Sequence, residues 1–245
     1  MATTSTKRPG AAPPDKLEVL RNHSLFGRLP PAAIEHLGSY VKRRSLARGT
    51  SIFAKGDPGS GLMGVLSGSV KITVPSADGR DILLVIMHEG DIFGEIALLD
   101  GHPRTADATA MTDCELMVIE RRDFVPFLRS QPDLTLQIVE MLCSRLRRTT
   151  EQVQDVTFLN LPTRLAKALI RLSTEGQGVA AASKKLAITQ REISQLIGRS
   201  RESTNKQLRI WAKHGWIRLE RGAITVLRRD RIAEIAENES ELDPF

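Results

Sequence analysis

The sequence predicts an α+β chain in three parts: an N-terminal β-roll (a jelly roll), one long central helix, and a C-terminal winged helix-turn-helix. Three observations predict it. Between Arg43 and Val118, turn signals recur at roughly the 8–12-residue spacing of an all-β domain. After Pro132 a helical pattern carries an apolar seam at alternating three- and four-residue steps. Positive charge then gathers in the last third of the chain.

At 245 residues the chain is long enough for two modest domains, each with its own core. Its 41% hydrophobic and 26% charged content is ordinary for a globular protein. No apolar run approaches the ~20 residues that span a bilayer, and no signal peptide opens the chain. A cytoplasmic protein with no membrane partner is expected. Cys114 and Cys143 are the only cysteines, which excludes a disulfide framework and a four-thiolate iron–sulfur cluster. Both are expected as buried thiols.

The net charge of +6 is unevenly spread. From Leu161 to Asp230 there are 15 Lys+Arg against 5 Asp+Glu, a balance of +10 that leaves the rest of the chain at −4. Such asymmetry points to nucleic acid or another anionic surface.

Residues 1–15 are Thr/Pro/Ala-rich with little to bury and read as a disordered tail. Short helices are expected at Lys16–Asn22 and Pro31–Tyr40, leading into a roll that ends near residue 131. Its turns are marked by Gly49, Asp57-Pro58-Gly59, Gly68, Asp78-Gly79, Glu89-Gly90-Asp91 and Asp100-Gly101. Strands such as Val70–Val74 and Ile82–Met87 lie between them. The central helix, with its hinge, occupies 132–160. Its seam is Val139, Leu142, Leu146, Thr149, Val153 and Val156, a coiled-coil period with one polar break. A parallel helix pair, and so a homodimer through residues 133–159, is expected. Asn160-Leu161-Pro162 interrupts the helix.

The segment 161–235 opens with a helix over Thr163–Ser173 and a loop over Thr174–Gly178. Thr189-Gln190-Arg191-Glu192 is a capping box at a helix start. Gly198-Arg199-Ser200 is a tight turn, with Ser200 capping a second helix that Gly215 closes. Strands at Trp216–Glu220 and Ile224–Leu227 form a hairpin, and Trp211 and Trp216 read as core. Residues 236–245 are left as a tail.

Gly94-Glu95-Ile96-Ala97 followed by Arg104-Thr105-Ala106 reads as a cradle for one phosphate and one sugar. Backbone N–H groups at a short helix start, with an Arg fork, suit a phosphate anion, and a carboxylate can accept from a ribose hydroxyl. His88 and His102 stand 14 residues apart with no His-x-His, so no metal site is expected. No nucleophile–base pair appears, so the chain does not read as an enzyme.

The cradle, together with Ser200-Arg201-Glu202-Ser203-Thr204-Asn205-Lys206, resembles two motifs of the cyclic-AMP receptor protein/fumarate–nitrate regulator family of transcription regulators. The resemblance covers about residues 17–235 and is closer to the cyclic-nucleotide branch, because the iron–sulfur branch needs N-terminal cysteines absent here. It implies cyclic AMP as effector, with cyclic GMP also possible; a different effector or none is the alternative. By that resemblance Glu95 binds the ribose 2′-hydroxyl, Arg104 and Thr105 bind the cyclic phosphate, and Gly94 and Ile96 offer backbone contacts. Ala97 and Ala106 complete the cassette. Thr149-Thr150 is similar to a pair that reaches the purine, one residue from each subunit. Arg145, one turn earlier, can pair with Glu95.

The resemblance also implies double-stranded DNA as partner, at a palindrome with TGTGA-like half-sites, and RNA polymerase as a second partner. Arg201 would read guanine, Glu202 a cytosine amine, and Lys206 a second base or a phosphate. Lys206 stands where close relatives carry Arg, and a lysine cannot make the bidentate fork. Thr189, Gln190, Arg191, Ser200 and Arg209 are candidates for backbone phosphates.

Overall fold

A computed structural model describes residues 16–76, 81–174 and 184–237. Two short helices lead in, α1 (Lys16–Asn22) and α2 (Pro31–Tyr40). The roll follows as β1 (Lys42–Leu46), β2 (Ser51–Phe53), β3 (Gly61–Ser67), β4 (Val70–Val74), β5 (Ile82–Met87), β6 (Ile92–Phe93), α3 (Glu95–Asp100), β7 (Asp107–Ala110) and β8 (Cys114–Glu120). Next come α4 (Arg121–Arg129) and the central helix α5 (Pro132–Phe158). The C-terminal part is α6 (Leu161–Thr174), β9 (Lys184–Leu186), α7 (Gln190–Leu196), α8 (Arg201–Lys213), β10 (Ile217–Glu220), β11 (Ala223–Val226) and α9 (Arg229–Glu237).

The roll is two four-stranded antiparallel sheets, ordered β1-β8-β3-β6 and β2-β7-β4-β5. Strand β8 shows how its residues were sorted. Cys114 and Leu116 point into the inter-sheet core with Val65, Val70 and Phe93, while Met117 and Ile119 point the other way. That alternation follows from the two-residue period of a strand. The outer face is covered by α1, α2, α4 and the start of α5, through Leu20, Phe26, Leu37, Phe124 and Leu134.

The first half of α5 is therefore anchored, with Leu134 and Ile138 buried. The seam itself is exposed on the single chain: Leu146 is 68% exposed and Val153 61%, with Val139 and Val156 also exposed. Leu142 packs against the roll instead.

The third core unites α6, α7, α8 and the small sheet β10-β11-β9 around Leu165, Leu169, Ile193, Leu208 and Trp211. Leu83 and Ile86 of β5 join this cluster, so α7 packs on the roll. Trp216 is partly buried and stacks on His214, ring centroids 5.0 Å apart.

Several expectations need correction. Strand β9 adds a third strand where a two-stranded hairpin was expected. Helix α4 forms despite Pro126, and α9 runs two residues into the expected tail at 236–245. Cys114 is buried as expected, but Cys143 is exposed on α5. The expected tail at 1–15, the Asp78-Gly79 turn, residues 175–178 of the expected loop and residues 238–245 lie outside the described residues. Among the described residues no helix is long and apolar enough to cross a membrane.

Candidate functional site

The cassette begins with a residue that has to be glycine. Gly94 caps α3 at φ +81, in the left-handed region. A Cβ there would also stand 2.6 Å from Nη1 of Arg104. With no side chain in the way, Arg104 folds back inside the roll and is 4% exposed. Its Nη1 donates to Gly94 O and its Nη2 to Gly61 O, each at 2.7 Å. The guanidinium lies over the Phe53 ring, 4.3 Å from its centroid. Burial lowers its pKa, opposed by the nearby Glu95 and Asp57 carboxylates. The guanidinium thus ties β3 to the cassette. Among the described residues its buried Nε has no partner, and two of its five N–H groups are engaged.

Glu95, on the first turn of α3, is buried and ion-paired with Arg145 of α5, whose other Nη donates to Ile92 O. The resemblance implied that Arg145 can pair with Glu95, and the structure brings the two together. Central helix and cassette thus meet across one charge pair.

These groups line a cavity of about 950 Å³ between the roll and α5. Gly94, Glu95, Ile96, Ala97, Arg104, Thr105 and Ala106 form one wall; Arg145 and Thr149 belong to the other. Thr150 is not on the lining. Thr149 Oγ1 donates to Arg145 O and Thr150 Oγ1 to Leu146 O, both at 3.0 Å, so each hydroxyl proton is held by its own helix. Sequence reasoning missed Arg148 and Gln152, which line the cavity from the same face of α5. Their three-residue spacing from Arg145 and Thr149, respectively, was the available signal. Gln152 Nε2 also donates to Leu84 O of β5 at 3.2 Å.

His23 forms part of the far wall. Its Nδ1 accepts from Leu25 N at 3.1 Å, and burial pushes its pKa down to about 4.

On the reading head, the capping box is complete. Thr189 Oγ1 accepts from Glu192 N at 3.1 Å and donates to Glu192 Oε2 at 2.8 Å, and Thr189 N donates to that same oxygen. Ser200 Oγ accepts from Ser203 N and donates to Ser203 Oγ. Both hydroxyls, offered from sequence as phosphate contacts, are engaged in capping. Helix α8 buries Thr204, Leu208 and Trp211 and turns Arg201, Glu202, Lys206 and Arg209 outward. Arg191 is exposed on α7, and Gln190 is half-buried.

A cavity lined by Glu95, Arg104 and Thr105 and closed by a central helix, carried beside a basic winged helix-turn-helix, is the arrangement of a DNA-binding regulator. Comparison with known proteins agrees. Residues 43–131 match the cyclic nucleotide-binding domain and residues 163–235 the Crp-like helix-turn-helix domain. The chain is 36% identical over 223 residues to a CRP-like cAMP-activated global transcriptional regulator of Mycobacterium tuberculosis, covering 89% of this chain and 99% of that one. It is 31% identical over 217 residues to the cyclic AMP receptor protein of Thermus thermophilus, covering 89% and 98%. Among solved structures it is similar to the c-di-GMP-responsive global regulator CLP of Xanthomonas campestris, at 25% identity and a TM-score of 0.71, covering 80% and 99%. The chain belongs to the cyclic-AMP receptor protein/fumarate–nitrate regulator family, whose members are transcription regulators and not enzymes.

Proposed function

We propose that the protein is a cytoplasmic, homodimeric transcription regulator whose binding to a palindromic, TGTGA-like DNA site is controlled by cyclic AMP. The observation that carries this reading is the convergence of Glu95, Arg104 and Thr105 on one cavity that α5 closes. In it, Glu95 accepts from the ribose 2′-hydroxyl, displacing Arg145, and the free N–H groups of Arg104 with Thr105 take the cyclic phosphate. Thr149 favours adenine: with its proton held by Arg145 O, its oxygen presents lone pairs, which suit a 6-amino group better than the 6-oxo group of guanine. Thr150, off the cavity of its own chain, would serve the cavity of the second copy.

The exposed seam of α5 supports the dimer, since leaving it in water forfeits about 25 cal/mol per Å² of apolar surface. A dimer places two α8 helices for successive major grooves, with Arg201 and Glu202 reading bases and Lys206, Arg191 and Arg209 on bases or phosphates. Gln190, Thr189 and Ser200 add register through the helix N-termini. RNA polymerase is the proposed partner at the promoter.

Calorimetry with cyclic AMP and cyclic GMP tests the effector. Wild type binds cyclic AMP more tightly, and Glu95→Ala loses about tenfold or more; no binding by wild type sinks this reading. Sedimentation of Leu146→Glu tests the seam, the expected result being a monomer. A second reading is a cyclic dinucleotide effector, favoured by the size of the cavity and by the Xanthomonas neighbour. The same titration with cyclic di-GMP decides it.

A further inference from the structure

We propose that Arg164 is the joint that sets the orientation of the reading head on the central helix, a positioning residue for DNA recognition that rests on the effector-controlled reading above. Arg164 stands on the first turn of α6, just past the break at Leu159-Asn160, and is 4% exposed. Its Nη1 donates to Val156 O in the last turn of α5 at 3.3 Å. Its Nη2 donates to Ile197 O, the carbonyl that ends α7. The last carbonyls of a helix have no partner within it and carry the negative end of the dipole. One planar cation therefore caps two helix ends: the helix that closes the effector cavity, and the support helix of the helix-turn-helix.

The turn is shaped to admit it. Gly198 holds φ +61, and a Cβ there would stand 3.3 Å from Arg164 Nη2. Burying a guanidinium is costly unless its donors are matched. Burial and the neighbouring Arg199 both work against the charge, with Asp155 opposing them. An arginine kept there against those terms is doing something an apolar residue of similar size would not.

Other links among the described residues also join the head to the rest. Lys167 pairs with Asp155 at 3.1 Å, but the pair is part-exposed and open to screening. Leu83 and Ile86 of β5 pack against the head through apolar contact, which has no direction. Of these three, the Arg164 fork is the one that reaches both α5 and α7 through hydrogen bonds from a buried side chain. Any displacement of the end of α5 that the effector produces reaches Ile197 through it, and from Ile197 the turn leads straight into α8. A lysine supplies a single point donor and cannot hold both carbonyls in one plane.

The test uses the full-length protein, wild type and the variants Arg164→Met, Arg164→Lys and Lys167→Ala. Anisotropy on a palindromic TGTGA duplex and on a random duplex, with and without cyclic AMP, gives two ratios: enhancement by cyclic AMP, and specific over non-specific affinity. Calorimetry gives the affinity for cyclic AMP itself. Both ratios are expected to fall about fivefold or more in Arg164→Met, with part recovered in Arg164→Lys and no change in Lys167→Ala, while cyclic AMP affinity stays within about twofold. A residue that merely stabilised the head would lower the melting temperature and leave the ratios alone. Unchanged ratios in Arg164→Met and Arg164→Lys overturn the joint; if Arg164→Met does not fold, Arg164→Lys decides by the same ratios. Should wild type ignore cyclic AMP, the effector reading fails, and the specific-to-random ratio still judges the joint.

Discussion

In the cavity wall, Arg104 is buried and gives both ends of its fork to backbone carbonyls, and Glu95 is held by Arg145. On the reading head, Arg201, Glu202, Lys206 and Arg209 are exposed and make no hydrogen bond or ion pair among the described residues. The cavity residues are parts of the fold before they are contacts for a ligand. Those on α8 hold up nothing, and can be replaced without cost to the domain that carries them. The difference separates two kinds of loss. A mutation of Arg104 is expected to change stability and binding together, whereas a mutation on the outer face of α8 is expected to change binding alone.

The strongest test of that separation is Arg104→Ala. It removes two charge-assisted hydrogen bonds to backbone carbonyls, at about 1.5–3 kcal/mol each, so chemical denaturation is expected to show a loss of about 3 kcal/mol or more. A variant as stable as wild type breaks the comparison. His23 gives the cavity wall a comparable cost that depends on pH. Its folded pKa of about 4 lies below the ordinary imidazole value of 6.5, so the unfolded chain takes up the proton first as the pH falls. Stability is complete above pH 6.5 and declines toward pH 4, by up to about 3 kcal/mol from this group. Denaturation of wild type and His23→Gln across that window checks it, the variant showing the shallower decline.

On the head, Arg201→Ala is expected to cost about 1–3 kcal/mol of specific DNA affinity and to relax preference at one base pair. Its unfolding free energy should stay within about 0.5 kcal/mol of wild type. Thr189→Ala sharpens the contrast from within the head. It breaks the capping box and should cost about 1 kcal/mol of stability while leaving the salt dependence of DNA binding unchanged.

How far the sequence could be read follows from how local each determinant is. The capping box at Thr189–Glu192, the Ser200 cap and the turn at Gly198 involve neighbours in the chain, and they form where their residues predict. The meeting of Glu95 with Arg145 spans 50 residues, but both carry charge and both sit in recognisable motifs. What stayed hidden depends on groups common to every residue. Arg104 is engaged by the carbonyls of Gly61 and Gly94, and Arg164 by those of Val156 and Ile197. A backbone carbonyl leaves no mark in the sequence. Strand β9 escaped for a related reason: its three residues become a strand only because β11 offers an edge. Helix α4 carries an interior proline, Pro126, which ordinarily argues against a helix.

On the proposed function Arg104 has a double duty, which bears on how an effector-blind regulator should be engineered. Deleting that guanidinium would confound deafness to the signal with a loosened roll. Glu95→Gln keeps the shape and an acceptor oxygen while removing the charge, and Arg145, with 30% of its side chain already exposed, can turn to water when released. The cleaner instrument is the carboxylate.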